Sequence, residues 1–350
     1  MTRSLRVKFS ARTKAEQDPR LWLSLFENQT PQMNGVDFTF DPNSRVYDWL
    51  VAYEDLMFLP GERRSHRIEP LACARENTLL ITTEPSKIKV YGPEFTAQYG
   101  HVMSRQPQEA LGHPNQIVQT PPLRWYYGRP LNEEDNNYLG LDDFKATPPP
   151  IKTKNLSAVC SNKQMGGTLH QQRYKCVMAL RDRFGDSFDV FGRGINPIND
   201  KADAMDAYRY HITIENNIEP GYWTEKIADS FLAYCIPFYF GPPDIAQVFP
   251  SESFIPIDIF DIDAAEAIIR DEIRPKSYEK RLPALIAARD MVLNRYNLMS
   301  VIADTVKSHH NSNAEKQAGD VIMGRHIFRQ KHPIKAAKDV LHRLRVNRRL

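Results

Sequence analysis

From residue 155 to residue 296 the chain alternates short apolar runs with amphipathic ones, and this rhythm constrains the fold more than any other feature. "NLSAVCSNK" (155–163) reads as a strand with a polar tip, and "LHQQRYKCVMALRDRF" (169–184) as a helix. "FDVFGRG" (188–194) is a strand, "DKADAMDAYR" (200–209) a helix, and "YHITIEN" (210–216) a strand. "WTEKIADSFLAYC" (223–235) is a helix, "IPFYFG" (236–241) a strand, "PDIAQVF" (243–249) a short helix and "SFIPIDIF" (253–260) a strand. "DAAEAIIRDEI" (263–273) and "KRLPALIAARDMVLNRY" (280–296) are helices. Strands that alternate with helices predict a parallel, doubly wound α/β sheet. In such sheets ligands sit at the carboxyl ends of the strands.

The 350 residues suggest two domains. In the N-terminal half, "LRVKFS" (5–10) alternates like a strand and "RVYDWLVAYEDL" (45–56) contains a buried one. Leu79–Thr82 is an apolar strand that runs into "TEPS", so Glu84 is expected near a strand tip. "DDFKATPPPIKTKN" (142–155) holds three consecutive prolines and reads as a stiff linker. The expected organisation is therefore one domain over 1–147, a linker over 148–154, a second, doubly wound domain over 155–324 and a tail over 325–350.

Charge sets that tail apart. Residues 325–350 hold nine Lys or Arg and one acid, a net +8, which leaves −5 for residues 1–324. Val340, Leu341, Leu344 and Val346 fit an apolar stripe among these cations. That pattern suits a helix lying on an anionic membrane; a solvated basic arm is the competing reading. No base-reading module accompanies the charge, so nucleic acid is not an expected partner. The four cysteines form no CxxC and are expected to be buried thiols. "MTRSLRVKFS" lacks the apolar core of a leader, and the longest apolar stretch, near Ile227–Phe240, is too short to span a bilayer. A cytoplasmic protein, peripheral to the inner face of the membrane, is the expectation.

Several motifs are missing. There is no G-x-x-x-x-G-K-[ST], which argues against a P-loop enzyme, and "FGRGINP" lacks the third glycine of the dinucleotide fingerprint, which argues against a dehydrogenase. "DID" (261–263) fits a helix cap better than a metal-binding pair. What remains is "IENNIEPGYWTEK" (214–226), too polar to be core. Glu225 and Lys226 fall in the first turn of the following helix, where free N–H groups and a positive field suit a diphosphate. Asn216 and Tyr222 are candidates to touch a ribose, base or sugar. Gly241, at the next strand tip in "YFGPPD", lets a ligand approach the bare backbone.

The order of E-N, an E-K pair, an apolar helix and "IPFYFGPPDIAQVFPSESFIPIDIF" resembles the donor-binding signature of family 10 glycosyltransferases, the α1,3/α1,4-fucosyltransferases. "AVCSNK", "HQQR" and "FDVFGRG" extend the resemblance over about 155–262; in the N-terminal half it rests mainly on "ITTEPS". The resemblance implies an inverting enzyme of GT-B architecture, two Rossmann-like domains facing across a cleft. It implies GDP-fucose as donor, an acceptor glycan such as a bacterial lipopolysaccharide or other surface glycan, and no catalytic metal or other cofactor. Asn216, Tyr222, Glu225 and Lys226 match the family's donor pocket, Arg193 a pyrophosphate-binding arginine, and Lys163 lies in the "SNK" turn. Surface pairing of Arg193 with Asp189 or Asp200, and a solvated Lys163, are the bland alternatives. Leaving-group charge would be met by Lys226, Arg193 and the helix N-terminus. Glu84 is the candidate base for the acceptor hydroxyl, and Glu225 a contact to the donor sugar. "RWYYG" (124–128) offers an aromatic platform or core material. The rivals are a different nucleotide-sugar donor on the same fold, and a non-catalytic carbohydrate-binding protein.

Overall fold

The computed structural model describes residues 3–12, 18–58, 61–62, 64–119, 123–130, 138–162 and 169–348. The chain forms two compact units, residues 1–122 with 298–350, and residues 123–297. Both are α/β, which the rhythm of the sequence predicts for the second.

The first unit is built on seven strands: β1 (Leu5–Ala11), β2 (Gln32–Met33), β3 (Val36–Thr39), β4 (Trp49–Tyr53), β6 (Thr78–Ile81), β7 (His101–Met103) and β8 (Gln116–Ile117), with β5 (Ile68–Pro70) outside the sheet. The order is β2-β3-β1-β4-β6-β7-β8, parallel throughout except for the β2–β3 pair. All five residues of β4 and all four of β6 are buried, as strands covered on both faces must be.

The second unit carries β9 (Lys154–Val159), β10 (Phe188–Phe191), β11 (Tyr208–Ile214), β12 (Ile236–Phe240) and β13 (Ile255–Pro256), all parallel, in the order β10-β9-β11-β12-β13. From β9 the chain moves outward to β10, then returns to the other side of β9 for β11. The reversal leaves a crevice above the carboxyl ends of β9 and β11. The helices His170–Phe184, Glu225–Leu232, Ile262–Glu272 and Ser277–Leu293 complete the unit. Asp261 caps the third of these through the Ala264 amide, 3.0 Å away, the role that its spacing suggests. Residues 200–209 are not a helix: a short 3-10 turn, Lys201–Ala204, gives way to β11 at Tyr208. The buried, aromatic "YRYHITI" run extends that strand backwards.

The division between the units departs from the expected one at both ends. The chain enters the second unit at Leu123, not at the proline run. Trp125 is 2% exposed and packs edge-on against Phe144 of the short helix Leu141–Ala146, and Arg289 donates to the Phe144 carbonyl at 2.6 Å. The prolines therefore follow packed structure of the same unit. At the other end, Leu298 returns the chain to the first unit. There the helix Leu298–His309 is followed by β14 (Val321–Met323), which pairs with β5 in antiparallel register. The helices Arg325–Lys331 and Pro333–Asn347 then close the chain.

The tail is thus packed structure and no separate arm. Ile322 and Phe328 belong to the core cluster that holds Leu50, Leu80 and Val102. Asp339 accepts from the amides of Glu94 and Phe95 at 2.9 and 3.2 Å, which caps the short helix Pro93–Thr96. Val346, one of the four residues of the expected stripe, is instead buried against Val90 and Ala110. The exposed apolar residues of that helix are Ile334, Val340, Leu341 and Leu344. All four cysteines are buried free thiols. Among the described residues no helix is long and apolar enough to cross a membrane.

Candidate functional site

The crevice above β9 and β11 is a cavity of about 480 Å³. Val159 and Ser161 line it from the tip of β9, Gly192 and Arg193 from the turn after β10, and His211 to Ile214 from β11. Gly192 has φ +126°, and a side chain there would meet the Cys160 carbonyl oxygen at 2.3 Å. The glycine lets the β10 turn fold tightly against β9 and brings Arg193 to the rim. Arg193 is exposed, and among the described residues it bonds to neither Asp189 nor Asp200. Asp189 is taken by Lys154 and Tyr208, and Asp200 by the amides of Gly128 and Ala202.

Glu225 and Lys226 line the cavity from the first turn of the Glu225–Leu232 helix. The reason that turn is so polar lies in Glu215, which is fully buried. Its carboxylate accepts from the Thr224 amide and hydroxyl at 3.0 and 2.6 Å, from Lys226 Nζ at 3.3 Å and from the Tyr239 hydroxyl at 3.4 Å. Thr224 in turn caps the helix. Residues 215–224 are therefore closed into a loop by one internal carboxylate, and Lys226 is held at the mouth. Lys226 Nζ also donates to Glu225 at 3.2 Å. Burial opposes the Lys226 charge, but the Glu215 and Glu225 carboxylates outweigh it and raise the pKa. Burial likewise opposes the Glu225 charge, and the ammonium groups of Lys226 and Lys201 overcome it and hold the carboxyl at about 2. Both groups are ionised at neutral pH.

Three further cations line the cavity that motif reading does not single out: Arg173, Lys201 and Arg129. Arg173 lies in the first turn of the His170–Phe184 helix, within the quoted "HQQR", and donates to Asn216 Oδ1 at 2.9 Å. Asn216 thus orients an arginine of the cavity and is not itself part of the lining. Arg129 is buried, and burial lowers its pKa to about 10, so it too is charged at neutral pH. It follows "RWYYG", from which Tyr126 reaches the cavity while Trp125 goes to the core. His211 is buried and bonded to Ser157 at 2.8 Å; burial and the Lys201 charge depress it to about 3, so it is neutral. Among the described residues the lining therefore carries five cations against the single carboxylate of Glu225.

Two further candidates of this unit lie away from the lining, as Asn216 does. Tyr222 is buried. Gly241 is needed by the chain itself, because a side chain there would meet the Tyr239 hydroxyl, the one bonded to Glu215, at 2.3 Å. Lys163 lies outside the described residues.

Glu84 belongs to the first unit, three residues beyond β6 and half-buried. Gln106 Nε2 donates to its carbonyl at 2.8 Å. Its neighbour Thr83 donates through amide and hydroxyl, at 2.8 and 2.6 Å, to Glu54, which also accepts from Lys89, Tyr91 and Arg12. Glu54 sits one residue past β4 at φ +70°, so this carboxylate is anchored in an unusual backbone conformation. Burial opposes its charge, and Lys89 with the hydrogen bonds of Thr83 and Tyr91 brings its pKa down to about 2.

A strongly cationic crevice at a sheet reversal, flanked by two helix N-termini, has the chemistry that suits a phosphate-bearing ligand. The sequence that builds it agrees. Residues 149–270 match the C-terminal region of glycosyltransferase family 10, the fucosyltransferases. The matched segment includes Arg173, Arg193, Lys201, Glu215, Glu225 and Lys226. The chain is 33% identical over 219 residues to the α-(1,3)-fucosyltransferase FucT of Helicobacter pylori, which is 63% of this chain and 39% of that protein. It is 39% identical over 73 residues to a putative fucosyltransferase-like protein of Arabidopsis thaliana, 21% of this chain and 14% of that one. The chain thus spans well under half the length of either relative. Among solved structures it resembles an α1,3-fucosyltransferase with GDP, at 16% identity and a TM-score of 0.48 over 89% of this chain and 91% of that one. The form with GDP-fucose gives 17%, 0.46, 89% and 92%.

Proposed function

We propose that the protein is a metal-independent, inverting fucosyltransferase of GT-B architecture that moves L-fucose from GDP-fucose to a hydroxyl of a surface glycan. The observation that carries this reading is the cavity at the sheet reversal, with Arg129, Arg173, Arg193, Lys201 and Lys226 around Glu225, all but Arg129 inside a segment that matches family 10. The diphosphate of GDP-fucose carries the charge such a lining would balance. As the bond from fucose to phosphate breaks, negative charge grows on the departing GDP. Cations already in place stabilise that charge without reorganising. They would do there what a divalent metal does in other transferases.

Inversion is a single displacement, so the acceptor oxygen attacks from the face opposite the leaving group and gives up its proton to a base. Glu84 is our candidate for that base, and the Glu54 network that holds Thr83 would fix the loop carrying it. Glu225, ionised beside Lys226, is our candidate for contact with the donor sugar, where a carboxylate steadies positive charge developing at the anomeric carbon. Asn216 supports the reading through Arg173.

We assign the outer face of the Pro333–Asn347 helix to the surface of an anionic membrane, with the protein on its cytoplasmic side. Ile334, Val340, Leu341 and Leu344 are exposed there, with Lys335, Lys338 and Arg345 beside them. The test of the donor assignment is calorimetric titration with GDP, UDP and CMP in the presence of EDTA. Selective binding of GDP supports it; preference for UDP or CMP overturns the donor, and binding that requires a divalent metal overturns the metal-free mechanism.

A further inference from the structure

Asp229 is the least expected side chain of the second unit. It lies inside the Glu225–Leu232 helix with no exposed surface, where an aspartate costs both helix propensity and desolvation. It stands four residues after Glu225, on the same helix face. One of its oxygens accepts from the amides of Tyr126 and Tyr127, at 2.8 and 3.1 Å. The other accepts from Lys201 Nζ. Asp200, next to that lysine, accepts from the Gly128 amide at 3.0 Å, and Tyr127 donates to Asp206 at 2.7 Å. Residues 126–128 are thereby strapped onto the 3-10 turn and the helix by three carboxylates.

A buried ion pair is seldom kept for stability alone, since two apolar residues serve as well. Here the lysine is no closed pair. Its side chain is 23% exposed and lines the cavity. The ammonium has three donors, and Asp229 is its one hydrogen-bond partner among the described residues. Lys201 also lies near enough to Glu225 to depress that carboxyl, and its ammonium sits 5.4 Å from the centre of the Tyr126 ring. The aspartate fixes the stem of the ammonium and leaves donors facing the cavity.

We propose that Lys201 is a further diphosphate-binding cation, carried on a different element from Lys226, and that Asp229, on the helix that carries Lys226, is the residue that positions it. The proposal rests on the reading of the cavity as a donor site. It adds that the leaving group is held from both sides of Glu225, by Lys226 on the helix and by Lys201 on the turn after β10.

Calorimetric titration with GDP and with inorganic pyrophosphate tests it, on the full chain. Lys201→Met should weaken both by about ten-fold, the loss of one charge-assisted hydrogen bond. Asp229→Asn keeps an acceptor for the two tyrosine amides but removes the charge that holds Lys201, so it should weaken both in the same direction. The double variant Lys201→Met with Asp229→Asn removes both charges together and guards against misfolding from an orphaned carboxylate. It should be no weaker than Lys201→Met alone, because Asp229 acts through the lysine. Wild-type affinity for pyrophosphate in the double variant overturns the proposal. Losses that multiply overturn the positioning role of Asp229. A wild-type protein that binds pyrophosphate but not GDP removes the donor reading, and the variants still test Lys201 on pyrophosphate; one that binds neither removes both.

Discussion

Replacing Lys226 with alanine should damage the protein twice, and the two losses can be separated. The lysine side chain is 21% exposed, but its partner Glu215 is completely buried. Removing one member of a buried ion pair costs about 3–5 kcal/mol, because the other charge is left without a partner. Two features reduce that figure here. Glu215 keeps the amide and hydroxyl of Thr224 and the Tyr239 hydroxyl, and water reaches the exposed part of the site. A loss of about 2–3 kcal/mol remains, which for a unit of this size is a fall of roughly 5–10 °C in melting temperature. The assay is urea and thermal unfolding without nucleotide, followed by GDP titration at a temperature where the variant is folded. A paired variant, Lys226→Met with Glu215→Gln, removes both charges. It should recover most of the stability and none of the GDP affinity. If Lys226→Ala unfolds at the wild-type urea concentration, Glu215 does not depend on the lysine, and the account of why this loop is polar fails. If the paired variant is as unstable as the single one, the loss comes from packing and not from an orphaned carboxylate.

Four other outcomes follow from the geometry. Glu84→Gln should abolish fucosyl transfer and leave GDP affinity unchanged; near wild-type turnover would place the base elsewhere. Glu54 and Glu225 are held at about 2, below the ordinary 4.5, by neighbouring cations that outweigh burial. Each thus contributes about 3 kcal/mol that is present above pH 4.5 and lost as pH falls toward 2, so Glu225→Gln should flatten the acid limb of a stability-versus-pH curve; an unchanged limb would count against the ion pairs. Asp339→Ala removes a helix cap from residues 93–96 and should cost about 1 kcal/mol in urea unfolding, while truncation at residue 332 should destabilise the first unit much further. Leu341→Glu with Leu344→Glu should abolish sedimentation with anionic vesicles and leave the melting temperature in place, because both side chains are exposed; retained vesicle binding would remove the membrane assignment.

The parallel sheet of the second unit was legible because its strands are contiguous apolar runs and its helices are amphipathic. Where the pattern failed, local composition misled: "DKADAMDAYR" has helical residue types, yet its aromatic end is claimed by the sheet. The unit boundaries were illegible for another reason. Three prolines look like a linker whatever surrounds them, and a return of the chain to an earlier unit leaves no trace in local sequence. Of the site, Glu225, Lys226 and Arg193 stood out because they sit in turns after strands or at a helix start. Arg173 lay within a quoted motif but reads as one basic residue on a polar helix face. Lys201, Arg129 and Asp229 carry no pattern at all, because contacts between residues 28 and 103 positions apart create their environment. Glu215 was visible as a letter and invisible as a buried counter-ion.

The first unit closes only when residues 298–350 rejoin residues 1–122. During synthesis the ribosome emits β1 to β8 long before Ile322 and Phe328, the side chains that complete their core. The second unit is contiguous and can fold as soon as it emerges. For the time it takes to translate some two hundred residues, the apolar face that awaits those two side chains is a surface in search of cover, and at physiological translation rates that is on the order of ten seconds or more. Nascent chains of this protein should be chaperone clients at their beginning and not at their middle.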